Sequence, residues 1–94
     1  MSTIWKFQFD IVNPLSISMP SGAQILSVQD QDGVPCMWAM VNPEKAAEMR
    51  YFEIFRTGQP MCLDKAIERR FIGTFQQPPF EWHVFERIVW HLFE

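Results

Sequence analysis

The chain is poor in most of what catalysis and metal binding draw on. Its 94 residues include two cysteines, two histidines and four glycines. Cys36 and Cys62 lack the close spacing of a zinc ligand pair, so they read as small apolar side chains of an intracellular protein. His83 and His91 stand eight residues apart, which is no ligand signature, and no nearby Cys or carboxylate completes a ligand set with them. No glycine-rich loop is present to cradle a phosphate, and each glycine sits beside a turn signal. Asp30-Gln31-Asp32-Gly33 resembles part of a calcium loop, but Gly33 at the sixth position would make Val28 the first ligand and Ala39 the twelfth. Nothing local marks an activated thiol. The expectation is a chain with no catalytic, cofactor-binding or metal-binding residues, and no enzyme.

Positive charge is also scarce. Eight Lys and Arg stand against 11 Asp and Glu, for a net charge of −3 and a pI of about 5.3. Double-stranded nucleic acid is therefore not an expected partner, because its phosphates need a basic face. The acidic residues are scattered, which gives little support to nucleic-acid mimicry. No apolar run is long enough to span a bilayer, and Met1-Ser-Thr-Ile-Trp-Lys6 lacks the charged and apolar regions of a signal peptide. A cytoplasmic protein with no membrane partner is expected.

What the chain does have is apolar mass. The hydrophobic share is 48%, with nine Phe, four Trp and one Tyr, too much for a disordered chain and enough for one modest core in a single domain over 1–94. Period-two alternation marks strands. Ile4–Phe9 sets Trp5, Phe7 and Phe9 against Lys6 and Gln8, and Leu15–Met19 sets Leu15, Ile17 and Met19 against serines. Ala23–Gln31 follows, then Asp32-Gly33 as a hairpin turn. Val34–Val41 is apolar on both faces and is expected to be central and covered on both sides. Met49–Arg56 places Phe52 and Ile54 opposite Tyr51, Glu53 and Phe55. Phe71–Gln76 is a further strand, closed by Pro78-Pro79. Asn42-Pro43 predicts a cap and a short helical turn, and Leu63–Arg70 predicts one or two turns more. The predicted fold is a mainly antiparallel β domain, a small sandwich or half-barrel of six or seven strands with one or two short helical turns.

The C-terminal region repeats a pentapeptide, Trp82-His-Val-Phe-Glu86 and Trp90-His-Leu-Phe-Glu94. Phe85, Ile88, Val89 and Leu92 fit a helical stripe that Pro79 could start, whereas Val, Ile, Phe and Trp favour strands. Arg87–Phe93 is assigned as a strand and Phe80–Glu86 as a strand or turn. In a strand both Trp side chains share one face, either as a core staple or as a surface for a partner. The arginines, Arg50, Arg56, Arg69, Arg70 and Arg87, supply forks for carboxylate or phosphate. The candidate partner or ligand contacts are Trp82, His83, Arg87, Trp90, His91 and Arg56. Trp5 and Trp38 are expected in the core.

Several stretches resemble a small family of uncharacterised phage and prophage proteins. They are Thr3-Ile-Trp-Lys6, Met19-Pro20, Gly22-Ala-Gln-Ile-Leu-Ser-Val-Gln29, Gly33-Val-Pro-Cys-Met-Trp-Ala-Met-Val41, Thr57-Gly-Gln-Pro60, Ile72-Gly-Thr-Phe-Gln76 and Trp90-His-Leu-Phe-Glu94. This chain departs from the family's pattern by inserting Pro78-Pro79 and a second Trp-His-x-Phe-Glu, and by Gln59 where His is commoner. The resemblance implies a small accessory protein that acts in the host cytoplasm by occupying something. The leading expectation is a non-enzymatic inhibitor of a host protein in counter-defence. The alternatives are a sponge for a nucleotide second messenger and a virion or assembly component. Unpaired strand edges lead us to expect a homo-oligomer, a homodimer first.

Overall fold

A computed structural model describes residues 1–88 of the chain. Period-two patterning becomes seven strands: β1 (Thr3–Gln8), β2 (Leu15–Pro20), β3 (Gln24–Gln31), β4 (Val34–Val41), β5 (Ala47–Arg56), β6 (Glu68–Gln77) and β7 (Phe80–Ile88). They form two antiparallel sheets, one ordered β1-β4-β3 and the other β2-β5-β7-β6. The chain measures 40 × 35 × 16 Å along its principal axes, a thickness that fits two sheets face to face. The protein is a small all-β sandwich.

The core lies between the sheets and takes one parity of each strand. Leu15, Ile17 and Met19 of β2, Phe52 and Ile54 of β5, Phe75 of β6 and Val84 of β7 meet Val28 of β3 and Met37, Ala39 and Val41 of β4. Burial of each large side chain contributes about 1.5–3 kcal/mol. Phe9, just past β1, closes the cluster edge-on to Phe75, with ring centroids 6.0 Å apart.

Two hairpins follow from their turn residues. Asp32 (φ 52°) and Gly33 (φ 87°) both take the left-handed region, as a turn matched to sheet twist requires, and the Gly33 N–H donates to Asp30 Oδ2 at 3.0 Å. Pro78 and Pro79 join β6 to β7. The sheets approach each other at β3 and β6, where Gly73 lies against Val28: a Cβ at Gly73 would come within 2.9 Å of Val28 Cγ2. Next to Gly73, β6 carries a bulge between Phe71 and Gly73, which leaves Ile72 packed on the core.

Three expectations need correction. The helical turns predicted after Asn42 and over Leu63–Arg70 do not form. Asn42 Oδ1 accepts from the Glu44 N–H and its carbonyl from the Lys45 N–H, a single turn, and Ala47 then enters β5. Asp64 does the same for Ala66 and Ile67 before Glu68 enters β6. In both places cross-strand pairing outweighs local helix preference. β4 is central in its sheet, but only its inner face is covered by the other layer. On its outer face Cys36 is buried between Gln8 and Gln29 in the register, Trp38 is half-buried and Met40 is exposed. The segment 80–88 is one continuous strand, and the rest of the tail assignment lies outside the described residues.

Candidate functional site

Strand parity gives the four-stranded sheet an outer face of unusual composition. An antiparallel sheet with one solvated face normally alternates apolar-in with polar-out. Here the outward parity carries Tyr51 and Phe55 on β5, Phe85 on β7 and Phe71 on β6. Directly opposed residues on β5, β7 and β6 form three rows: Tyr51–Arg87–Arg69, Glu53–Phe85–Phe71 and Phe55–His83–Thr74.

The middle of this grid is aromatic. Phe85 meets Phe71 at 5.4 Å and Phe55 at 6.0 Å between centroids, both edge-on, the arrangement ring quadrupoles favour. Arg69 lays its guanidinium 5.8 Å from the centre of Phe55 and pairs through Nε with Glu53. Hydrogen bonding to Glu53 holds the Arg69 guanidinium above its ordinary pKa, against a smaller opposing effect of desolvation. Arg87 makes no hydrogen bond or ion pair with another described residue, so the end row keeps one free guanidinium beside Tyr51. Phe71 is 56% exposed and Tyr51 38%.

At the other end His83 is fixed from both sides. Thr57 Oγ1 lies 2.7 Å from its Nε2 and Thr74 Oγ1 lies 2.9 Å from its Nδ1. Thr57 Oγ1 also donates to Glu81 Oε1 at 2.9 Å. A hydroxyl carries one proton, so Thr57 accepts from Nε2–H. Protons therefore run from ring to hydroxyl to carboxylate. A nucleophile relay needs the reverse, with the hydroxyl giving its proton to the ring.

The inner face of the same sheet holds a second polar assembly. Arg50 donates to both oxygens of Glu86, at 2.6 and 2.9 Å, and to the Ala23 carbonyl at 2.6 Å. The two side chains are 15% and 8% exposed. Hydrogen bonding to Glu86 raises the Arg50 pKa, with burial opposing it. Since Ala23 leads into β3, this bidentate pair ties β5 and β7 to the other sheet. Each of the three guanidinium nitrogens is bonded within the fold, which makes the pair structural.

The residues singled out by sequence separate accordingly. His83 and Arg87 lie on the outer aromatic face. Trp82 does not: it is half-buried on the inner side, packed against the core and tilted on Phe80, with its indole Nε1–H buried and unpaired among the described residues. Arg56, opposite Trp82, is exposed at the end of β5, where its backbone N–H binds Gln59 Oε1. Trp90 and His91 lie outside the described residues. Trp5 is 40% exposed despite its inner parity. Sequence reasoning passed over Tyr51, Phe55, Phe71, Phe85 and Arg69 as contacts. Their signal was the aromatic content at both parities of Met49–Arg56. Among the described residues no three His, Cys, Asp or Glu side chains stand close enough to hold a metal ion, and no helix is long and apolar enough to cross a membrane.

No curated protein and no solved structure matches the chain. The model of a domain of unknown function, DUF7352, matches residues 1–94, and the chain belongs to that family.

Proposed function

We propose that this protein acts by binding and not by catalysis, seating a host protein on the outer face of the four-stranded sheet and inhibiting it. The observation that carries this is the open aromatic grid of Phe55, Phe71, Phe85 and Tyr51, edged by Arg69 and Arg87. Exposed aromatic rings with guanidiniums at their margin are the composition of interface hot spots, and a contiguous apolar patch on a small domain marks an interaction surface. The resemblance to phage and prophage proteins supports counter-defence as the setting.

The test is affinity capture from host lysate by wild-type protein and by Phe71→Asp, with Gln29→Ala on the other sheet as control. A defined protein held by wild type and by the control but released by Phe71→Asp, with all three melting alike, supports the reading. Retention by Phe71→Asp contradicts it.

A second reading, a sponge for a nucleotide messenger, draws on a hollow where Arg70 and Arg87 meet Tyr51 beside the Arg50–Glu86 pair. Arg70 and Arg87 have no hydrogen-bond partner among the described residues, and Tyr51 offers a ring for stacking. A cyclic-nucleotide panel separates the two readings, because a ligand bound only by the folded state raises the melting temperature.

A further inference from the structure

The two sheets end in edges of different character. In the four-stranded sheet β2 is the open edge. The Ser21 N–H donates to the Ala46 carbonyl, so odd-numbered residues bond towards β5 and the outward groups belong to Ser16, Ser18 and Pro20. Pro20 has no N–H to offer, which blunts that edge. Where β3 and β6 face each other, Gly73 and Val28 are already in contact.

β1 is different. Among the described residues it pairs with β4 alone, and no described strand lies on its far side. The Phe9 N–H donates to the Pro35 carbonyl at 3.0 Å, one step beyond the Gln8–Cys36 pair. Odd residues of β1 therefore bond to β4, and Ile4, Lys6 and Gln8 point their N–H and C=O groups outward. Its only charged side chain does not guard this edge. Lys6 Nζ is bonded to Gln31 Oε1 on β3 at 2.7 Å, which draws it back across β4. Ile4 is 58% exposed, and Trp5 remains open although its parity is inward.

We propose that β1 is a dimerisation edge, pairing antiparallel with β1 of a second copy so that Trp5 meets the same residue of its partner on the two-fold axis. A two-fold axis normal to the sheet must pass through a residue, because opposed residues share a face. The two registers with the most overlap centre on Trp5 or Lys6. Centring on Lys6 sets two like-charged side chains on directly opposed positions, kept apart only while each stays bonded to Gln31, and like charges placed opposite are unfavourable. Centring on Trp5 places Lys6 opposite Ile4 of the other copy, and these exchange their outward backbone bonds. Trp5 itself then occupies a non-hydrogen-bonded pair, the position where cross-strand side chains come closest, so the two indoles pack together. The result is one continuous sheet running β3-β4-β1 into β1-β4-β3 of the second copy.

Equilibrium sedimentation of the full chain tests this, using wild type, Trp5→Lys and Ile4→Pro. The expected mass is twice 11.1 kDa for wild type. It halves in Trp5→Lys, which sets like charges on the axis, and in Ile4→Pro, which removes an outward donor without touching the β4 ladder. In a Cys62→Ser background, Trp5→Cys forms an intermolecular disulfide on mild oxidation and Lys6→Cys does not. A monomeric wild type overturns the proposal. So does a dimer that survives both edge substitutions, or one that crosslinks through Lys6→Cys instead. Phe71→Asp leaves the mass at the dimer value, so failure here is distinct from failure of the proposed partner face.

Discussion

At the scale of single residues, the inner polar pair and the inner tryptophan make opposite predictions. Arg50 and Glu86 satisfy each other inside the sandwich, so removing one leaves the other buried and uncompensated. Glu86→Ala is expected to cost about 3 kcal/mol in urea unfolding. Changing both partners, Arg50→Met with Glu86→Leu, is expected to recover most of that loss, because the desolvation cost leaves with the charges. Equal losses in the single and double variants would contradict the pair's assignment. Trp82 carries a buried indole N–H with no acceptor among the described residues. Trp82→Phe sheds that unsatisfied donor along with part of the ring, and the two effects offset, leaving stability within about 1 kcal/mol of wild type. Trp82→Ala removes the packing as well and costs about 3 kcal/mol. These values are read from the same urea curves.

The pH behaviour of the guanidiniums follows from the sign of their shift. A raised folded-state pKa contributes stability that is complete below the unfolded value and lost only as pH rises through the folded one. For Arg50 and Arg69 both values lie in strong alkali, so their charge is constant throughout the neutral range.

At the scale of elements, the close approach of β3 and β6 rests on the absence of one methyl group. Val28 is β-branched and stiff, so it cannot swing away from a Cβ at position 73. Gly73→Ala is expected to destabilise by about 1–3 kcal/mol. Val28→Ala should relieve most of that, which a double-mutant cycle would show as a coupling; simple additivity would deny the contact. Most strands were legible because alternation survives in a single sequence: Leu15, Ile17 and Met19, or Phe52 and Ile54, state their inward face directly. The Asp32-Gly33 turn was equally plain, because it demands positive φ. The misassigned turns after Asn42 and near Asp64 share one cause. Asx capping looks the same at the start of a helix and in an isolated turn, and only the pairing of β5 and β6 with distant partners decides which continues. Trp82 was ambiguous for a related reason. Parity groups residues on a face without saying which face is covered.

At the scale of the whole molecule, the sandwich covers the inner face of β5, β6 and β7 and leaves their outer face aromatic. That juxtaposition was not readable from the chain. Phe71 lies beside Phe85 only because β6 carries a bulge, and Arg69 reaches Phe55 only across β7. The fold thus separates two tasks. Trp82, Val84 and the Arg50–Glu86 pair hold the layers together, whereas Phe71, Phe85, Tyr51 and Arg87 stay on the outer face where the proposed partner would sit. The β1 edge belongs to the other sheet, so a dimer through it would present two aromatic faces and raise avidity for a repetitive or dimeric target.

The most direct measurement is the affinity of the captured host protein for wild type and for Phe71→Asp, by titration calorimetry. A hot-spot residue at the centre of the contact contributes about 2 kcal/mol or more, so the account predicts an affinity at least roughly 30-fold weaker, with the melting temperature unchanged. Equal affinities would remove the outer face of the four-stranded sheet from the interface and contradict the account.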